Sequence, residues 1–312
     1  MNDDRDDLAA PSTRRRFLAR ATALGAASMG GGALLTACGG SDSEGQTGGS
    51  TTLPVVTADP ALSGGFSLAQ RFPNTALFVP GPLRLPVSLV VDGTLSNDGP
   101  DTIEGFVLDL DDNPVGDVVA TKRSEGIETA YYEIRLDVTE AKVYTLRLSG
   151  DDGYGAMFEV FDPGDVTSPL TGSPMPALET PTLDDPRGVE VVCTRSPEPC
   201  PFHTLTLAEA LDLGRPVAFV VGTPAHCQTG TCAPGLELLI AESERLGDAL
   251  VCVHADVYRD ADGTETAPVI ESLGIDYEPI IYLADASGTI VDRIDAIWDA
   301  GELRSRLDAL LA

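Results

Sequence analysis

The stretch from residue 216 to residue 247, PVAFVVGTPAHCQTGTCAPGLELLIAESERLG, decides the fold expected for the second half of the chain. Its apolar start predicts a buried strand, and the apolar residues at its end have helical spacing. Cys227 and Cys232 lie between the two elements. In an ideal helix, cysteines five positions apart have Cα atoms roughly 8.6 Å apart, which exceeds the limit of about 7 Å for a disulfide. The pair can therefore close only if residues 228–231 are not helical.

The elements on either side of this stretch are predicted from the same periodicity. A short amphipathic helix precedes it, and a buried strand, a short helix, a hairpin and a terminal helix follow it. In chain order, these segments are residues 205–214, 249–258, 267–274, 279–295 and 300–311. Their alternation predicts an α/β layered domain.

In this region a strand runs into a cysteine pair at the start of a helix, and Glu278 and Pro279 follow about 50 residues later at a hairpin strand. This arrangement resembles the thioredoxin fold. The resemblance covers residues 203–312 and is to exported actinobacterial thioredoxin-like proteins. It implies that Cys227 is the attacking cysteine, that Cys232 resolves the mixed disulfide, and that Pro279 is a cis-proline beside them. The chain departs from the family motif, because the cysteines have the spacing C-x4-C instead of C-x-x-C and no Trp precedes them.

The chemistry of this cysteine pair has several interpretations. A thiolate near a helix N-terminus is stabilised by unsatisfied N–H groups, which favours a redox-active dithiol. His226 adjoins Cys227 and is a candidate proton relay, although adjacent side chains often point apart. The alternatives are a structural disulfide that only closes the loop, and a copper carrier that combines both cysteines with a histidine.

The remaining cysteines are predicted to be structural. Cys193 and Cys200 are separated by six residues in a Pro-rich segment, a spacing that favours a disulfide. With His203 they offer three zinc ligands, but the spacing shows no fourth, so we predict no metal site and no cofactor. Cys252 is expected to be a small buried hydrophobe within a strand. His254, two residues later, is interpreted as a core histidine in preference to a ligand.

The first half of the chain has a different pattern. Residues 70–165 contain short runs with period-two alternation, separated by turn-forming clusters, which predicts an antiparallel Ig-like β-sandwich. This module is expected to bind an unknown partner or to act as a spacer. A flexible linker at residues 38–69 and a Pro-rich linker at residues 166–202 would flank it, before the thioredoxin-like domain at residues 203–312. The predicted fold class is thus an all-β sandwich followed by an α/β thioredoxin fold.

The N-terminal residues predict export and lipidation. Arg14 and Arg15 in STRRRFL precede an uncharged run of 17 residues, as in a Tat-type signal peptide. That run is too short and too rich in glycine to span a bilayer. It ends in LTACGG, which resembles a lipobox, so Cys38 would be lipidated after removal of residues 1–37. The mature chain is therefore expected on the outer face of the cell membrane.

The net charge limits the partners. With 49 acidic and 20 basic residues, the chain has a formal charge of −29, which would repel polyphosphate backbones and argues against nucleic acid. The sequence therefore predicts a membrane-anchored thiol-disulfide oxidoreductase that acts on thiols and disulfides of exported proteins. The alternative is a non-catalytic surface binding module whose disulfides are structural.

Overall fold

The computed structural model describes residues 65–312, all of which belong to one compact unit. The predicted signal peptide with Arg14 and Arg15, and the predicted lipidation site Cys38, lie outside the described residues. Among residues 65–312, no helix combines the length and the apolar character that a membrane span requires. The predicted domain boundaries stay a prediction.

The first sheet contains eight antiparallel strands. Their order is β1-β2-β6-β5-β4-β7-β8, and β3 pairs with β2 as well. Buried and more exposed residues alternate in strands such as β7 and β8, so one face of the sheet encloses an apolar core. The strands are β1 (Ser67–Gln70), β2 (Gly81–Val91), β3 (Thr94–Ser96), β4 (Thr102–Asp109), β5 (Pro114–Arg123), β6 (Tyr131–Val138), β7 (Val143–Leu148) and β8 (Ala156–Glu159).

This first sheet is nearly closed into a barrel. The N–H of Phe66, just before β1, donates to the Gly150 carbonyl at 3.4 Å, and the Phe66 carbonyl accepts from the N–H of Asp152 at 2.9 Å. The amide of Gln70 in β1 also donates to the Met157 carbonyl in β8. The two ends of the strand order therefore meet along part of their length.

The second sheet is small and mixed. Its order is β10-β9-β11-β12, with β9 and β10 parallel and the other neighbours antiparallel. Every residue of β9 and β11 is buried, because apolar side chains cover both faces of these central strands. The strands are β9 (Val217–Val221), β10 (Val251–Ala255), β11 (Ile280–Ala284) and β12 (Ile290–Asp295).

Four short helices pack around the second sheet. The first begins with a capping box, in which Thr206 and Glu209 satisfy each other's backbone N–H groups. The second helix begins at Cys232, after the loop that follows β9. The helices are α1 (Leu207–Asp212), α2 (Cys232–Leu246), α3 (Pro268–Leu273) and α4 (Ala300–Leu310).

The predicted fold class, an Ig-like sandwich followed by an α/β thioredoxin fold, is wrong. The strands from β1 to β8 pair into one continuous, nearly closed sheet, so they do not form two facing sheets. The later part adds a small mixed sheet and four short helices, two of which have only six residues. The molecule is therefore mostly β. Alternation along a strand specifies one buried face, but a sandwich and a barrel both require such a face.

Candidate functional site

A disulfide joins Cys227 and Cys232 in the loop between β9 and α2. Their Cα atoms are 6.0 Å apart, within the range that a disulfide allows. Residues 228–231 are not helical, and α2 begins at Cys232. Because residues 228–231 are not helical, the two cysteines come close enough to form a disulfide, as their spacing in the sequence requires.

The two sulfurs have different environments. Cys227 is half-buried, whereas Cys232 is only 2% exposed, so Cys227 is the cysteine that a partner can reach. The N–H of Cys232 donates to Sγ of Cys227 at 3.3 Å, and the hydroxyl of Thr229 lies 3.2 Å from the same sulfur. The first turn of α2 itself contains no acidic residue, so no carboxylate within the helix opposes the positive end of its dipole. After reduction, these groups stabilise a thiolate on Cys227.

A carboxyl group lies beside both sulfurs. An oxygen of Glu278 and the sulfurs of Cys227 and Cys232 all lie within 4.8 Å of one another. Burial raises the pKa of Glu278 to about 7, although a hydrogen bond from the N–H of Thr223 opposes this change. A group with this pKa can exchange a proton with a neighbouring thiol near neutral pH. Sequence reasoning missed this role, although a carboxylate directly before Pro279 was a visible signal.

Pro279 is buried, and both it and Cys232 approach Gly222. The Glu278–Pro279 peptide bond is cis. A Cβ atom added to Gly222 would lie 3.3 Å from Cβ of Pro279 and 3.4 Å from Cβ of Cys232. Glycine at position 222 therefore permits the end of β9, the start of α2 and the proline to approach closely.

The imidazole of His226 interacts with a different loop. Its Nε2 lies 3.0 Å from the carbonyl oxygen of Ala261, and its ring makes an edge contact with Tyr258 at a centroid distance of 6.1 Å. A Cβ atom on Gly263 would collide with this ring at 2.7 Å. The structure thus places His226 next to Cys227 in sequence but against residues 258–263 in space.

A cavity of about 360 Å³ lies beside the disulfide loop. The loops of the second sheet contribute Thr229, Tyr277 and Glu278 to its wall, the segment after β1 contributes Phe72, and β3 contributes Leu95. The cavity therefore offers apolar surface next to a carboxyl group and to the disulfide loop.

The other predicted cysteines, Cys193 and Cys200, lie in the segment before α1 and pack in the same apolar cluster as residues of α2. Cys193 and Cys200 are buried and are not bonded to each other, in contrast to the predicted disulfide. Their sulfurs lie close to the imidazoles of His203 and His254, and sequence reasoning had interpreted His254 as a core residue. Cys252 is half-buried, and burial raises the pKa of its thiol to about 12, which makes it a poor nucleophile.

Comparison with protein-family models and with curated proteins gives no match for this chain. The chemistry of these residues is therefore what indicates a function.

Proposed function

We propose that this protein exchanges thiols and disulfides with protein substrates through Cys227 and Cys232. The observation that carries the proposal is the asymmetric pair of sulfurs at the start of α2, one reachable from solvent and one buried. Glu278 supports it, since its carboxyl group lies within 4.8 Å of both sulfurs and titrates near neutral pH.

The exchange needs two steps. In the reducing direction, the Cys227 thiolate attacks one sulfur of a substrate disulfide, a bond forms between them, and the substrate S–S bond breaks with release of a thiolate. Cys232 then attacks Sγ of Cys227, which forms the intramolecular disulfide and releases the second substrate sulfur. Two electrons pass from the chain to the substrate, so an external dithiol must reduce the chain again. The reverse sequence oxidises a substrate dithiol.

Glu278 and the cavity have separate tasks in this scheme. Cys232 is buried, so its thiol needs a nearby base, and the Glu278 carboxylate accepts its proton before the second step. Apolar side chains of the substrate occupy the cavity lined by Phe72 and Leu95. Burial of such side chains favours unfolded or flexible protein segments as substrates.

A trapping experiment tests the proposal. Cys232→Ser removes the resolving sulfur, so mixed disulfides between Cys227 and substrates should accumulate in cells that produce this variant. They should appear on non-reducing gels and disappear after reduction. In reduced wild-type protein, an alkylating reagent should modify Cys227 before Cys232, because Cys232 is buried.

The matched controls are Cys227→Ser and Cys252→Ser. Neither should trap a substrate, because the first lacks the exposed nucleophile and the second keeps the complete pair. If Cys232→Ser captures no more protein than these controls, the disulfide is structural and the chain is a non-catalytic module.

We also propose export through the Tat pathway and anchoring through a lipid on Cys38. The support is the order of the motifs in the sequence, with Arg14 and Arg15 before the uncharged run and the lipobox at its end. Substrates would then be exported proteins on the outer face of the membrane. Cys38→Ser should yield exported protein that no longer sediments with membranes, and unchanged sedimentation would contradict the anchor.

A further inference from the structure

Four buried side chains that the proposed exchange does not use converge behind the disulfide loop. Cys193 and Cys200 come from the segment before α1, His203 lies just before α1, and His254 lies in β10. Each is at most 6% exposed, and one sulfur or ring nitrogen of each lies within 4.8 Å of all the others. From this cluster we propose that the protein binds a zinc ion with these two cysteines and two histidines as ligands.

The distances in the cluster fit a tetrahedral ion. Bonds of about 2.3 Å to sulfur and about 2.05 Å to nitrogen place a sulfur and a nitrogen about 3.5 Å apart and two nitrogens about 3.3 Å apart. Nδ1 of His254 lies 3.7 Å from Sγ of Cys193 and 3.3 Å from Sγ of Cys200. It lies 3.0 Å from Nε2 of His203. The three distances from Nδ1 of His254 are therefore within a few tenths of an ångström of the tetrahedral values, and the other three pairs of ligand atoms lie within 4.8 Å of each other.

The neighbours of the histidines orient their lone pairs toward the cluster. Nε2 of His254 lies 2.7 Å from the carbonyl oxygen of Gly222, and Nδ1 of His203 lies 3.4 Å from that of Pro181. A carbonyl only accepts, so these nitrogens carry the protons and the opposite nitrogens are free to bind a metal. A carbonyl that accepts from the second ring nitrogen is the kind of neighbour that fixes a metal-binding histidine in place, and a carboxylate oxygen of Asp256 also lies 3.3 Å from Nε2 of His254.

A cation can also take the place of a proton in the cluster. With the other ring nitrogens donating to Gly222 and Pro181, the contact of 3.0 Å between Nε2 of His203 and Nδ1 of His254 needs either an extra proton on one ring or a cation that accepts both lone pairs. A zinc ion between them accepts both lone pairs. Cys193 and Cys200 each release one proton to solvent on binding, and the two thiolates then balance the charge of the ion. The N–H of Cys200 donates to Sγ of Cys193 at 3.4 Å, which stabilises a thiolate there.

The site would connect a segment with little regular structure to the second sheet. Thr194, next to the ligand Cys193, donates its N–H to Asp256 at 2.8 Å, and its hydroxyl accepts from the N–H of Ala225 at 3.2 Å. Ala225 precedes Cys227 by two residues, so zinc would also fix the loop that carries the disulfide. The inference does not rest on the proposed exchange, because none of the four ligands belongs to that reaction.

Metal content of the full chain tests the site directly. Protein purified from cells grown with added zinc should contain one zinc ion per chain by elemental analysis. The double variant Cys193→Ser/Cys200→Ser should lose this zinc, whereas the matched double variant Cys227→Ser/Cys232→Ser should keep it. Equal zinc in all three proteins, or copper in place of zinc in the wild type, would overturn the assignment.

Two measurements on the wild-type chain do not depend on the folding of any variant. Replacement of zinc by Co²⁺ should give thiolate-to-cobalt charge-transfer bands and the intense visible bands of a tetrahedral ion. Alkylation in denaturant with a chelator and without reductant should modify Cys193 and Cys200. Weak octahedral cobalt bands, or recovery of these two cysteines as one disulfide-linked species, would show that the cluster is not a zinc site.

Discussion

Glu278 combines two properties that rarely occur together in a surface carboxyl group. It is half-buried, and it lies within 4.8 Å of the sulfurs of Cys227 and Cys232. Burial raises the pKa of Glu278 to about 7, whereas an exposed glutamate titrates near about 4.3. Its charge state therefore changes near neutral pH, so we expect Glu278 to set the pH dependence of the proposed exchange.

Replacement of this residue gives a prediction at the residue scale. Only ionised Glu278 can accept the Cys232 proton, so the wild-type rate of reducing a dye disulfide should rise with pH through about 7. Glu278→Gln should remove this rise and slow the reaction near pH 7 by about 100-fold. Rates measured from about pH 5 to about pH 9 test this. The control Glu271→Gln, an exposed position on α3, should behave as wild type.

Stability provides an independent readout of the same group. The folded pKa of Glu278, about 7, lies above its unfolded value, so the folded state binds more protons between about pH 4.3 and about pH 7. The stability that protonated Glu278 contributes is present below this range and is lost as the pH rises through it. Glu278→Gln should lack this loss. If the variant keeps both the wild-type pH–rate profile and the wild-type pH–stability profile, Glu278 has no part in the site.

At the scale of elements, the start of α2 follows from local sequence. Gly230 adopts a left-handed φ of +69° and interrupts any helix before Thr231, and Pro234 falls in the first turn, where its missing N–H is not needed. These residues fix the helix start at Cys232 and so bring the two sulfurs together. Such short-range signals explain why the order of helices and strands between Leu207 and Leu310 could be predicted.

Long-range pairing could not be predicted in the same way. Strand β2 pairs with β1, β3 and β6, and nothing in its own alternating pattern indicates that the sheet is continuous and nearly closed. His254 illustrates the same limit in the site, because it is 51 residues from His203 and 61 from Cys193. The place of His254 in the cluster depends on the parallel register of β9 and β10. That register determines the residue of β10 that lies next to the cysteines.

At the scale of the whole molecule, a buried ion pair connects the first sheet to α4. Arg84 in β2 binds Glu302 in α4 through two hydrogen bonds of 2.6 Å, and the hydroxyl of Tyr131 in β6 donates to the same carboxylate. Burial alone would lower the pKa of Arg84, but attraction to Glu302 outweighs it and raises that pKa. Burial also raises the pKa of Tyr131. Arg84 therefore stays charged, and Tyr131 stays a donor.

This contact predicts a large loss of stability on removal of one charge. Glu302 is 1% exposed and Arg84 7% exposed, so Glu302→Gln would leave the guanidinium buried without its counterion. We expect a loss of about 3 kcal/mol in the free energy of unfolding, measured by urea denaturation with the fluorescence of Trp298, the single tryptophan. The control Glu140→Gln removes the partner of Lys142 in an exposed ion pair and should leave the free energy of unfolding nearly unchanged. Equal losses for the two variants would show that the ion pair between Arg84 and Glu302 does not stabilise the fold.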